Sequence, residues 1–118
     1  MSKLAKININ NSTGSKLTQN SVDMPFSLTL KYPLENNYNF KKLKSEHLRE
    51  FQSFLDKVSS MTFSQVDNLF LRNPDTNDKF QGKQIQHYEV SNCFRIHGVI
   101  EDSHLVILRI DPRHDKHK

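Results

Sequence analysis

The residues of this chain best suited to chemistry lie near its end. Phe94-Arg95-Ile96-His97-Gly98-Val99-Ile100 runs through a Glu101-Asp102-Ser103 turn into His104-Leu105-Val106-Ile107-Leu108-Arg109-Ile110. The chain then closes on Asp111-Pro112-Arg113-His114-Asp115-Lys116-His117-Lys118. A period of two puts Phe94, Ile96 and Ile100 on one face of a strand and Arg95, His97 and Val99 on the other. By the same sorting His87, Glu89 and Arg109 are expected on that second face, with Tyr88 turned inward. A bulge would reverse part of this assignment.

Such an open face, carrying His87, Glu89, Arg95, His97 and Arg109, would suit phosphoryl chemistry. Paired guanidinium groups bind phosphate through two hydrogen bonds each and stabilise charge developing on a phosphorane-like transition state. Imidazoles serve as general base or acid near neutral pH, and a carboxylate such as Glu89 orients an imidazole or takes a proton itself. The tail adds Arg113, His114, Lys116, His117 and Lys118. Together these are the parts needed to cleave RNA through its own 2′-hydroxyl without a metal. The competing account is that an open antiparallel face is polar simply because water touches it.

Other chemistries find less support. His114 and His117 have an x-x spacing that could supply metal ligands, to which Asp111, Asp115, His97 and His104 could add. There is no HExxH motif and no cysteine pair, so no metal and no other cofactor is expected. Cys93, the lone cysteine, is expected to be a small packing residue rather than a nucleophile. Lys41, Lys42 and Lys44 form a basic cluster before a helix, either solvated or in contact with nucleic acid. Gly98 marks a bulge or a close backbone approach. No glycine-rich phosphate loop is present.

These groups need a scaffold. Phe26 to Tyr32 alternates strictly and predicts a half-buried strand stopped at Pro33. Ser45 reads as an N-cap, and Leu48, Phe51, Leu55 and Val58 follow at helical spacing with Phe54 beside them. Thr62-Phe63-Ser64-Gln65 is a capping-box pattern that opens a second helix burying Val66, Leu69 and Phe70. Asn73-Pro74-Asp75 ends it, and a polar loop runs to about Lys83. Three strands near 84–90, 94–101 and 104–110 should form an antiparallel meander. The fold class is α+β: a small antiparallel sheet with two helices on one face, in the order β-α-α-β-β-β.

Composition sets the outer bounds. The chain has 118 residues, eight phenylalanines and a net charge of +4. Residues 1–22 read as a polar, mobile extension in which Ile7 and Ile9 could make a short edge strand, with a segment ordered by a partner chain as the alternative, and 23–118 as one domain. No apolar run is long enough to span a bilayer and no signal-peptide core is evident, so a cytoplasmic location without membrane contact is expected. The charge permits nucleic acid or an acidic protein as partner.

The element order, with Phe94-Arg95-Ile96-His97-Gly98, Leu105-Val106-Ile107-Leu108-Arg109-Ile110-Asp111-Pro112 and then His114, resembles the RelE/ParE-like superfamily of toxins from bacterial toxin–antitoxin pairs. The resemblance spans roughly residues 26–118. It implies a metal-independent endoribonuclease acting on mRNA, free or on the ribosome, neutralised by a cognate antitoxin. Arg95 and Arg109 would match the basic residues of the family's sheet, and His114 or His117 its terminal acid or base. The chain lacks a terminal tyrosine and has a long polar N-terminal segment, two departures from the pattern. Gyrase-poisoning members share the fold without ribonuclease activity. A non-catalytic protein-binding module, or a ParE-like toxin poisoning a protein target, is therefore the alternative.

Overall fold

The computed structural model describes residues 24–114. The polar segment 1–22 and the tail residues Lys116, His117 and Lys118 lie outside them. The architecture is mixed α+β. A five-stranded sheet comprises β1 (Leu28–Thr29), β2 (Leu71–Arg72), β5 (Gln86–Glu89), β6 (Arg95–Glu101) and β7 (His104–Asp111), and β3 (Lys79–Phe80) pairs with β4 (Lys83–Gln84) in a separate ribbon. The strand order is β1-β7-β6-β5-β2, antiparallel except for the parallel β1–β7 pair.

Two short elements depart from expectation. The strand predicted over 26–32 shrinks to Leu28–Thr29 because Phe26 N–H donates to the Met61 carbonyl instead of joining the sheet. Beyond β1 the chain still follows the edge of β7. Glu35 N–H donates to the Leu108 carbonyl and Ile110 N–H to the Tyr38 carbonyl, at 3.0 and 2.8 Å. The second helix, expected to run up to Asn73, gives way to β2 at Leu71, and the expected polar loop before Lys83 instead holds the ribbon.

Helix α1 (Ser45–Val58) is capped by Lys44 rather than Ser45. The Lys44 N–H, one of the donors a helix start leaves without an intrahelical partner, finds His47 Nδ1 at 3.0 Å. The inward stripe is His47, Phe51, Phe54 and Val58, so His47 takes the place expected for Leu48, which is 52% exposed. The His47 ring packs edge-on against Phe94, with centroids 5.9 Å apart. Helix α2 (Phe63–Phe70) starts at the Thr62–Gln65 capping box and buries Phe63 and Val66, while Leu69 turns outward. Among the described residues no helix is long and apolar enough to cross a membrane.

Both helices pack on one sheet face. Phe51, Phe54, Val58, Phe63 and Val66 meet Tyr88, Phe94, Ile96, Leu105, Ile107 and Ile110. The opposite face was expected to be open and is not. Ile85, Val99, Val106 and Leu108 form a second apolar cluster there, with Tyr32 and Phe80 packed over it. The apolar run Leu105 to Leu108 explains this: a strand whose consecutive residues are all apolar is buried on both sides.

The β6–β7 hairpin turns at Asp102 and Ser103, both with positive φ, the geometry of a two-residue turn that matches strand twist. Its register shifts once. His97 faces Arg109 and Gly98 faces Ile107, so Leu108 is the extra residue of a bulge. The bulge lets Leu108 and Arg109 share the far face, which strict alternation forbids. It also brings β7 close to Gly98, where a Cβ would sit 2.3 Å from the Val106 carbonyl oxygen. Gly98→Ala is therefore expected to cost about 1–3 kcal/mol through forced backbone shifts. A urea midpoint equal to that of the parent would show that the strands part without strain.

A second expectation concerns alkali. Tyr88 donates its hydroxyl hydrogen bond to Asp67 Oδ1 at 2.6 Å. Burial first, and then the Asp67 carboxylate, push the Tyr88 phenol well above its ordinary range. Burial also raises the Asp67 carboxyl, and the bond from Tyr88 opposes that rise. Above about pH 10 the unfolded chain releases a phenolic proton that the folded state keeps, so stability falls as pH rises through that region. Folded protein should show one tyrosinate fewer by ultraviolet absorbance than the urea-unfolded chain at the same pH, and Tyr88→Phe should abolish the difference. Equal tyrosinate counts in both states would overturn this.

Candidate functional site

Three residues expected on an exposed catalytic face are buried beneath the ribbon: His87, His97 and Arg109, at 4%, 0% and 4% exposure. Strand pairing sets His87 against His97 and His97 against Arg109. The Arg109 guanidinium donates from Nη1 and Nη2 to the two oxygens of Asp78, at 2.9 and 2.7 Å, and from Nε to Glu35 Oε2 at 2.8 Å. Burial works against its charge, but the bonds to Asp78 and Glu35 outweigh burial and hold its pKa above the usual range. Arg109 Nη1 also lies 2.9 Å from His97 Nδ1. Arginine has no acceptor, so His97 accepts there and carries its proton on Nε2.

This network clamps two outer segments, the 31–38 edge and the loop before β3, onto the sheet. A second anchor lies at the hairpin end, where Lys31 and Lys83 both contact Glu101, at 2.9 and 3.3 Å. The hydrogen bond from Lys31 is the main cause of a Glu101 carboxyl held below its ordinary range.

Asp78, His87 and His97 offer ligand atoms within 4.8 Å of one another. The arrangement does not suit a metal. Arg109 engages both Asp78 oxygens. The two imidazoles stack face to face, with centroids 4.0 Å apart and planes 14° apart, so their in-plane lone pairs do not converge. The guanidinium is the cation this cluster is built around.

Arg95 and Glu89 are half-buried on the same sheet and are also engaged. Arg95 Nη1 donates to the carbonyls of Ser91, Asn92 and Phe94, closing the turn between β5 and β6. Glu89 accepts from Arg72 Nε at 2.6 Å and lies 3.7 Å from Arg95. Cys93 is exposed, not the packing residue expected.

The structure gathers other candidates elsewhere. A cleft of about 470 Å³ opens where the end of β7 meets the start of α1. Lys42, Lys44 and Arg113 line it with His47, Glu46, Asp111, Tyr38 and Asn37. Lys42 ends a 3-10 turn (Phe40–Lys42) that starts on Asn39, whose side chain accepts the Lys41 N–H. Asp111 and Pro112 are buried and Arg113 is exposed, so the strand end forms a floor with a cation at its lip. Lys41 is exposed but does not line the cleft, and His114 follows directly after Arg113 with φ +55°.

Sequence reasoning missed Asp78, Glu35 and His47. The first two sit in polar segments that read as loop, and only the non-local fold carries them to Arg109. His47 could have been found, because 47, 51, 54 and 58 continue one helical stripe. Comparison with protein-family models, with curated proteins and with solved structures finds no match.

Proposed function

We propose that this chain binds the phosphate backbone of RNA in the cleft at the end of β7 and cleaves it there, as a RelE/ParE-like toxin of a toxin–antitoxin pair. The observation that carries this reading is the convergence of Lys42 and Lys44 with Arg113, from the far end of the chain, on one cleft. Ammonium and guanidinium groups at such a site neutralise phosphate and release its counterions. Two helices on one face of a mostly antiparallel sheet agree with the fold that the resemblance implies.

The chemistry moves from the sheet face to the cleft. The 2′-oxygen attacks phosphorus, its proton passes to a base, and the leaving 5′-oxygen takes a proton from an acid. Glu46, an exposed carboxylate on the cleft wall, is the available proton acceptor. His114 or His117 is the donor, and Arg113 stabilises charge on the phosphorane. His87, Glu89, Arg95, His97 and Arg109 support the fold. The substrate is mRNA, free or on the ribosome, and a cognate antitoxin blocks the cleft.

Single-turnover cleavage of RNA in EDTA tests this. Cleavage with a 2′,3′-cyclic phosphate product, lost in Arg113→Gln with the fold intact, is the expected result. A second reading, a non-catalytic module that docks a protein target, is favoured by the engagement of all five sheet residues in structural contacts, His87 through its stack on His97 and its approach to Asp78. RNA neither bound nor cleaved would select that reading, and RNA bound but left intact would keep the cleft as an RNA site while removing the catalysis.

A further inference from the structure

We infer that His47 binds a phosphate oxygen of the ligand as a hydrogen-bond donor of fixed tautomer, and that it is not a proton carrier. This rests on the reading that the cleft takes a phosphodiester. His47 lines the cleft alongside Lys42, Lys44 and Arg113. Its Nδ1 accepts the Lys44 N–H at 3.0 Å. A proton on Nδ1 would collide with that N–H, so the ring proton lies on Nε2. The edge-on contact with Phe94 and a side chain only 12% exposed hold the ring in place.

Two consequences follow from the tautomer. Nε2 already carries a proton, so it has no lone pair with which to take one from a 2′-hydroxyl. Giving that proton away would leave an imidazolate, so His47 does not protonate a leaving group either. It offers one directional N–H. Glu46 Oε2 is 4.0 Å from Nε2, beyond a good hydrogen bond, and Glu46 is largely exposed, so a phosphate oxygen meets little competition. Lys42 and Lys44 supply charge without direction and Arg113 offers its guanidinium fork from the exposed lip, while Glu46 and Asp111 repel an anion from the rest of the cleft. The N–H of His47 sets where the phosphate sits between them.

The test uses a 2′-O-methyl oligoribonucleotide, which lacks the nucleophile and cannot be cleaved, with the full chain. His47→Gln and His47→Glu both keep an oxygen able to accept the Lys44 N–H, as residues at this helix position do. Only glutamine retains a donor. His47→Glu should lose roughly 10–100-fold in affinity, the worth of one hydrogen bond to a charged group, and His47→Gln should stay within about threefold of the parent. The ratio between the variants should persist at high salt, where the added charge is screened. Nitrogen-15 spectra of the imidazole should place the proton on Nε2 with and without the oligonucleotide.

Equal binding by His47→Glu and the parent, or a proton found on Nδ1, overturns the inference while the cleft reading stands. No binding by the parent removes the cleft reading and this inference with it. If His47→Glu fails to fold by circular dichroism, the nitrogen-15 measurement on the parent decides.

Discussion

Arg109→Met is expected to destabilise the protein by about 3–5 kcal/mol, the cost of breaking a buried ion pair from one side. Methionine matches much of the arginine volume, so packing loss is small. The loss comes from Asp78, whose side chain is only 10% exposed and would be left with its charge short of its main partner. His97 Nδ1 would lose its donor as well. Arg109→Met with Asp78→Leu should recover part of the loss, because the double change removes the stranded charge along with its partner. Urea denaturation of Arg109→Met, of Asp78→Leu and of the double variant measures this. An arginine on an open catalytic face would behave oppositely, losing activity at unchanged stability. A single variant within about 1 kcal/mol of the parent, less than the smallest cost expected of a broken buried pair, would refute the clamp.

The second large effect concerns ligand. Lys42→Gln, Lys44→Gln and Arg113→Gln combined should nearly abolish RNA binding while the variant keeps its folded circular-dichroism spectrum, since all three residues are exposed. The salt dependence is the sharper readout. With three phosphate contacts gone, the slope of log affinity against log salt should flatten by about two for single-stranded RNA. Lys41→Gln serves as the control, because Lys41 does not line the cleft. A triple variant with the parent's slope would move the RNA to another surface.

Local rules made much of this molecule legible in its sequence. The Thr62–Gln65 box starts α2 where the spacing predicts, and Phe51, Phe54 and Val58 face the sheet as their period demands. The sidedness of β5 and β6 also follows from period two, with Tyr88 and Ile96 in the helix-side core and His87 and His97 on the far face. What alternation leaves out is what covers the far face. That depends on Asp78 reaching Arg109 across 31 positions and Glu35 reaching it across 74, contacts that no local pattern encodes. The run from Leu105 to Leu108 carried the clue, because four consecutive apolar residues leave no side of a strand for water. Histidine on a predicted outward face read as chemistry when it was, in part, the floor of a second core. Of the cleft, the sequence showed the cations but not their meeting place, which depends on where β7 ends against α1.

The position of β7 has a consequence for how the protein comes to exist. It is the last strand in the described chain, yet it lies between β1 and β6 and contributes to both cores. Leu28 waits for Leu105, 77 positions later, before it has a strand to lie against. Contacts of such separation form late and slowly. During synthesis, a nascent chain that ends before residue 104 has two helices with no complete sheet to cover and a β1 without a partner. Its cleft lacks the wall that Asp111 and Arg113 provide. A product that stops short of β7 thus lacks the strand the two cores share and one wall of the cleft on which the proposed RNA binding rests.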